Sequence, residues 1–378
     1  MAAAYFDHNA TTPLDARVRE AMLPWLGERW GNAASAHAFG RGAREAVETA
    51  REAVARLIGG RPEEIVFTAS GTEANNAVLD RIGAGDRLVL SAFEHPSIDR
   101  MADRAAARGA QVERVRPDRS GVVSSEAVLS AAGEGTTLVC LMLANNEVGT
   151  LQPVAEVTAE LKRRGVPLLC DAVQAIGKVP VSVEALGVDY LTLGAHKFYG
   201  PLGGAALWIR DGAPFEPYLV GGSQERRRRA GTVNVAAIAG LGRAAELAAA
   251  EGGEWAAHCR ALRDRFEAGL AGLPDVVVHG AGAGSAPQHD APRVPVEAQS
   301  LMIRLDMAGH AVSTGSACSS GAVHVSRPSP PWASSRTRPW DRSASASGRA
   351  TTRRRWTASS IVPAVALAAL RPARGVGA

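Results

Sequence analysis

Between about residue 60 and residue 210 the chain alternates short, β-branched apolar runs with Ala-rich stretches of helical period, and this alternation constrains the fold most. Parallel strands are buried on both faces and need a helix-length crossover between them, so the pattern predicts a mostly parallel sheet covered by helices. The expected strands are Glu64–Thr68, Arg87–Ser91, Val112–Val115, Thr137–Leu143, Val166–Cys170, Tyr190–Leu193 and Ala205–Ile209. Helices are expected between them over Thr72–Asp80, Ser97–Ala107, Ser124–Ala131 and Val154–Arg164. An earlier helix, Arg41–Ile58, stops at the Gly59-Gly60 pair, which suits a left-handed cap. A long helical stretch, Val235–Leu273, leads to strands Val276–His279 and Ala311–Ser313 around a helix Gln299–Ala308.

This predicts an α/β chain with a large domain over residues 16–250, built on a seven-stranded sheet, and a smaller α+β domain over 251–325. Residues 1–15 are expected to pack with the smaller domain, and the chain ends in an aberrant segment, 326–358, and a tail, 359–378. With 378 residues and 46% hydrophobic side chains the chain can bury a sizeable core. It has neither a basic start backed by an apolar run nor an uninterrupted apolar stretch of membrane length, so a soluble, cytoplasmic protein with no membrane partner is expected. Cys140, Cys170, Cys259 and Cys318 are scattered without a Cys-x-x-Cys spacing, which suggests reduced thiols and no metal site.

The formal charge of +4 hides an asymmetry: residues 326–378 carry ten Arg and the single acid Asp341, leaving 32 basic against 37 acidic side chains in residues 1–325. A mildly acidic body offers no nucleic-acid surface. Lysine is scarce, with only Lys162, Lys178 and Lys197, so each one is informative.

Lys197 lies in Gly194-Ala195-His196-Lys197, just after an expected strand and before a glycine-rich turn. A sheltered loop at a strand's carboxyl end is where an α/β enzyme would keep an imine-forming amine, although a surface-loop lysine reads the same way. Asp171 ends another strand, where a carboxylate could pair with a protonated ring nitrogen or merely cap the next helix, and Gln174 lies one turn on. Gly71 and Thr72 open a helix whose free amides and dipole would suit a phosphate, or form an ordinary N-terminus. His95 and Asn146 also follow strands, where an imidazole could stack on a planar ring and an amide could bond its oxygen. Far downstream, Cys318 sits among small residues in Ser313-Thr314-Gly315-Ser316-Ala317-Cys318-Ser319-Ser320-Gly321, a loop that would leave its sulfur accessible.

Taken in order, YFDHNATTPL, GNAASAHAFGR, SGTEANN, EHPS, ANNEVGTLQPV, DAVQ, AHKFYGP, GGSQERRRRAGT and STGSACSSG resemble the NifS/IscS-like cysteine desulfurases of the class V aminotransferase group, fold type I pyridoxal-phosphate enzymes. The resemblance runs from about Tyr5 to Val323 and implies pyridoxal 5'-phosphate bound as an internal aldimine on Lys197. It further implies Asp171 at the ring nitrogen, His95 stacked on the ring and acting on protons, and Asn146 and Gln174 at the ring oxygen. Gly71, Thr72 and His196 would take the phosphate, with Thr232 reaching the neighbouring subunit's cofactor in a homodimer. Cys318 would receive sulfur from L-cysteine, leaving L-alanine and a persulfide for an acceptor protein such as an iron–sulfur scaffold or a thiolation partner. No resident metal is implied, though Cys318 could contact a nascent cluster. Two other readings stay open: another class V enzyme, such as an aminotransferase or selenocysteine lyase, and an inactive or scaffold remnant.

The chain departs from the family at Gly194, where a serine is usual, at the run Arg226 to Arg229, and after Val323. Residues 326–357 are rich in Arg, Ser and Pro without amphipathic period, where the family has a helix and a strand whose arginine holds the substrate carboxylate. Read one base later, Pro328 to Ala333 becomes Ala-Val-Ala-Ala-Met-Gly, so a shifted frame is expected here, with a shorter lapse over 287–295. With the residues as written, the tail is expected to be disordered, and losing that arginine should weaken substrate binding by roughly 1.5–3 kcal/mol.

Overall fold

The structure, a computed structural model, describes residues 4–271, 273, 276–280, 284–287, 292–294, 298–313 and 356–357. The chain opens with a short strand β1 (Ala4–Tyr5), helix α1 (Ala16–Leu26) and helix α2 (Ala38–Ile58). Asp15 caps α1 by accepting from the Arg17 amide, and Pro24 lies inside the helix near its end. That proline obscures α1 in the sequence, since it removes one helical donor. The Gly59 cap of α2 has φ 67° and donates to Ala55 and Arg56, as the Gly-Gly stop predicts.

Then follow β2 (Ile65–Thr68), α3 (Gly71–Leu79), β3 (Arg87–Ser91), α4 (Pro96–Ala107), β4 (Gln111–Val115) and α5 (Ser125–Ala131). After them come β5 (Thr136–Cys140), α6 (Val154–Arg163), β6 (Leu168–Asp171), the single turn α7 (Val183–Leu186), β7 (Tyr190–Gly194) and β8 (Ala205–Ile209). These seven strands form one sheet in the order β2-β8-β7-β6-β5-β3-β4. Only β8 runs against its neighbours β2 and β7. The connection from β7 to β8 contains a single 3-10 turn and no crossover helix, so the chain can only double back.

Alternate residues of each strand go to opposite faces of the sheet. Val89, Val139, Leu168, Cys170, Leu191 and Trp208 belong to the core under α2, α6 and α8, a helix spanning Val235–Leu270. Leu88, Leu138, Cys140, Leu169, Tyr190 and Leu207 belong to the core under α3 and α4. Both faces are therefore dry, as the unbroken apolar runs require.

Helix α8 continues without interruption past residue 250, and its far end, with Phe266 and Leu270, packs against Leu301 and Leu305 of α9 (Ala298–Met307). Around α9 lie β9 (Val277–Val278), β10 (Pro292–Val294), β11 (His310–Ala311) and β12 (Trp356–Thr357). β10 pairs antiparallel with both β9 and β12. β1 pairs parallel with β11, with Ala4 opposite His310 and Tyr5 opposite Ala311. Among the described residues no helix is long and apolar enough to cross a membrane.

Candidate active site

The strands β2, β3, β5, β6 and β7 all run the same way, and the segments leaving their carboxyl ends carry most of the residues singled out from the sequence. Lys197 closes the 3-10 turn that follows β7 and is 7% exposed. Its Nζ donates to the carbonyl oxygens of Asn9 and Ala10, the latter at 2.8 Å. The Asn9 carbonyl also accepts from Gln174 Nε2 at 3.0 Å, so the amine and the Gln174 amide converge on one atom. Thr12 clamps the same place, donating to the His196 carbonyl and accepting from the Tyr199 amide. Tyr199 has φ 63°, a left-handed residue forced by the tight return of the chain to β8.

Asp171, at the end of β6, is buried with both oxygens bonded: Oδ1 accepts from the Val173 amide at 3.0 Å and Oδ2 from Asn75 Nδ2 at 2.8 Å. Asn75, on α3, also donates to Ser97 Oγ at 2.9 Å. Ser97 Oγ lies 2.7 Å from His95 Nδ1, which also accepts from the Ser97 amide. Both Asn75 protons are thereby used, the Ser97 hydroxyl is left to donate to Nδ1, and a neutral His95 carries its proton on Nε2. Asp171 and His95 are thus two ends of one hydrogen-bonded chain that joins the end of β6, helix α3 and the start of α4.

His196 places Nδ1 3.2 Å from Thr11 Oγ1. Burial, then the positive charges of Lys197 and Lys178, push its pKa down to about 4, which keeps the ring neutral. Beside His95, Glu94 accepts from the Ser91 hydroxyl and the Met142 amide through Oε1. Burial raises its pKa to about 7 despite those bonds, with Asp171 adding a smaller push.

Gly71 and Thr72 begin α3, which Ser70 caps by accepting from Glu73. A side chain at Gly71 would meet Val173 Cγ2 at 2.9 Å and Thr192 Cγ2 at 3.5 Å, so the helix start lies against the ends of β6 and β7. Asn146 is half-buried in a turn held by its neighbour Asn145, which donates to the Phe93 carbonyl two residues before His95. Thr232 stands apart, exposed in the segment before α8. Cys318 and the rest of residues 314–321 lie outside the described residues, as do residues 326–355 and 358–378, where the altered tail is expected. Cys140, Cys170 and Cys259 are free thiols, and no group of metal-ligating side chains occurs among the described residues.

The sequence reading missed Asn9, Asn75, Glu94, Ser97 and Lys178. Asn75 and Ser97 lay within quoted motifs, yet their bonds reach partners 22 and 96 residues away and nothing local announces them. Lys178 had a signal in the scarcity of lysine.

Known proteins match this arrangement over most of its length. The family model described as aminotransferase class-V matches residues 4–332. A relative from Dictyoglomus turgidum, cysteine desulfurase IscS, is 40% identical over 329 residues, 85% of this chain and 84% of its own. A cysteine desulfurase from Cereibacter sphaeroides is 42% identical over 334 residues, covering 86% of each chain. Among solved structures, a NifS-like protein superposes with a TM-score of 0.80 at 39% identity, over 82% of this chain and 87% of that one. Sheet, site edge and sequence agree, and the chain belongs to the class V aminotransferase family, among the cysteine desulfurases of the IscS and NifS kind.

Proposed function

We propose that the chain is a pyridoxal-phosphate-dependent cysteine desulfurase, which turns L-cysteine and its own Cys318 thiol into L-alanine and a Cys318 persulfide. The observation that carries this is the meeting of a buried amine, a buried carboxylate and an imidazole at one sheet edge beside a helix N-terminus. Buried polar atoms around that edge await a partner: neither Asn9 Nδ2 nor Oδ1 is bonded among the described residues, and neither is Thr192 Oγ1. Each such group costs about 1–3 kcal/mol unless something completes it, so the residues fit a polar, planar, anionic cofactor.

Lys197 would hold the cofactor covalently, Asp171 would pair with its ring nitrogen, His95 would lie on the ring, and Gln174 and Asn146 would bond the ring oxygen. Gly71, Thr72 and His196 would take the phosphate, with Thr232 of the partner subunit completing that site in a homodimer. When bound, pyridoxal phosphate supplies an electron sink that weakens bonds at the substrate's amino carbon.

The protein's own groups do the rest. Asn75 and the Val173 amide orient Asp171 through both of its oxygens. Ser97 occupies His95 Nδ1, so the proton His95 can exchange with substrate is the one on Nε2. His196 stays neutral and acts as a hydrogen-bonding group, not as a charge. Cys318 takes the sulfur atom and later passes it to an acceptor protein with an iron–sulfur or thiolation role.

The test is to incubate the purified protein with L-cysteine and pyridoxal phosphate while following alanine and the mass of the Cys318 peptide together. Alanine and a one-sulfur mass gain on Cys318 are expected. Lys197→Ala should abolish both along with the visible absorbance of the bound cofactor. Should Cys318→Ala release sulfide as fast as the unmodified chain, the chemistry belongs to another class V reaction and the proposal fails.

A further inference from the structure

Lys178 is the lysine that neither the fold nor the proposed chemistry uses. It lies in the turn after Gln174, its backbone amide bonded to the Ala175 carbonyl. The residue is half-buried, the amine is desolvated, and burial followed by the charge of Lys197 holds its pKa well below the ordinary lysine range. The four titratable groups that feel it come from three segments: Lys197 and His196 after β7, His8 near the N-terminus and Cys259 on α8. A desolvated amine in that company is costly to maintain, which calls for a reason.

The reason lies in its bond. Lys178 Nζ donates to Gln174 Oε1 at 2.9 Å, while Gln174 Nε2 donates to the Asn9 carbonyl at 3.0 Å, the same carbonyl that accepts from Lys197. A glutamine amide has a donor end and an acceptor end of nearly the same shape, and its partners alone decide which end points where. A lysine ammonium can only donate, and a carbonyl can only accept, so with Lys178 protonated the two partners specify one orientation. Turned over, Gln174 would set its oxygen against the Asn9 carbonyl and its nitrogen against the amine, and both bonds would be lost. We propose that Lys178 is a positioning residue that locks the Gln174 amide with its nitrogen toward Asn9 and Lys197, so that the cofactor pocket meets a donor there.

This rests on the pyridoxal-phosphate reading above, because a donor is what an anionic ring oxygen needs. The test uses the full chain loaded with pyridoxal phosphate, as unmodified protein, Lys178→Met, Gln174→Met and the double variant. The measurements are the cofactor dissociation constant and the position of its visible absorption band. Lys178→Met is expected to weaken cofactor binding about threefold to tenfold, the range of one lost hydrogen bond, and to move the band as Gln174→Met does. In the Gln174→Met background it should add nothing further. Fold-changes that simply multiply in the double variant, or a Lys178→Met band at its original position, overturn the proposal. Lys178→Arg restores donors at that point and should return the band toward that of the unmodified protein. If Lys178→Met does not fold, a folded Lys178→Arg protein whose band matches that of Gln174→Met overturns the lock, and one whose band matches the unmodified protein supports it. Thermal melts of the cofactor-free chains separate the two claims: coupling between residues 174 and 178 there, with no cofactor bound by the unmodified protein, keeps the lock and removes the functional reading.

Discussion

Glu94 has both carboxyl oxygens inside the protein, and only Oε1 is bonded; Oε2 has no partner among the described residues. Burial raises its pKa from 4.5 to about 7, so between those values the folded chain keeps a proton that the unfolded chain has released. Stability must therefore fall as pH rises through that window, by about 3 kcal/mol once above it. Glu94→Gln keeps the shape and removes the titration. Urea unfolding across about pH 5 to 8 should show the unmodified chain losing stability relative to Glu94→Gln as pH rises. Two parallel curves would mean that Glu94 does not hold the proton. At this scale the sequence revealed residues by their place at strand ends, which is how Lys197, Asp171 and His95 stand out. It did not reveal Glu94, Asn75 or Ser97, whose importance comes from partners on other loops.

The segment leading to α8 shows how an element can be held by a few long bonds. Glu225, Arg226 and Arg227 are consecutive non-glycine residues with φ 47°, 54° and 65°, a conformation costing roughly 1–2 kcal/mol each. What holds them is Glu225, whose side chain accepts from Arg51 at 2.8 and 2.9 Å and from the Phe67 amide at 2.8 Å. Arg51 in turn donates to the Ile65 carbonyl and lies 4.7 Å from the Phe67 ring centre. The arginine run that the sequence left unexplained continues the clamp. Arg228 donates to the Glu63 carbonyl and Arg229 pairs with Glu73 at 2.8 Å, tying this segment to the turn before β2 and to the start of α3. Both sides of the Arg51–Glu225 pair are nearly sealed, so removing Glu225 leaves the buried Arg51 only the half-exposed Glu48 as an ion partner. Glu225→Ala should cost about 3–5 kcal/mol in urea unfolding, and Arg51→Met with Glu225→Leu together should cost much less. Equal losses for the single and double changes would show that the strained backbone, not the charge, carries the effect. The strands of the large sheet, apart from the polar edge strand β4, were legible because each is an apolar run between turn residues. The two-residue strands β1 and β11 are too short to carry a period and exist only because they pair with each other.

Across the whole molecule, the first dozen residues join parts that are far apart in the chain. β1 pairs with β11, Asp7 accepts from Ser313 Oγ at 2.7 Å, the Asn9 and Ala10 carbonyls hold the Lys197 amine, and Thr12 braces His196 and Tyr199. Ser313 precedes Cys318 by five positions in the sequence, so one short segment is bonded both to the amine's turn and to a residue shortly before the thiol. The sequence showed the amine and the thiol separately; what it hid is this link, a contact between residues 306 positions apart. Covalent sulfur transfer depends on placing two reacting atoms together, and a displacement of about 1 Å can cost on the order of a hundredfold in rate. Asp7→Ala removes the acceptor for Ser313 while leaving the Asn9 and Ala10 carbonyls in the backbone. It is expected to bind pyridoxal phosphate as the unmodified chain does, yet to form the Cys318 persulfide on the order of tenfold more slowly. Ser313→Ala should match it, since both break the same bond. Single-turnover measurement of alanine and persulfide, with cofactor absorbance as the control, decides the matter. Unchanged persulfide rates in both variants would show that sulfur transfer to Cys318 does not depend on the Asp7–Ser313 bond, whereas lost cofactor absorbance would place the segment's importance at Lys197 instead.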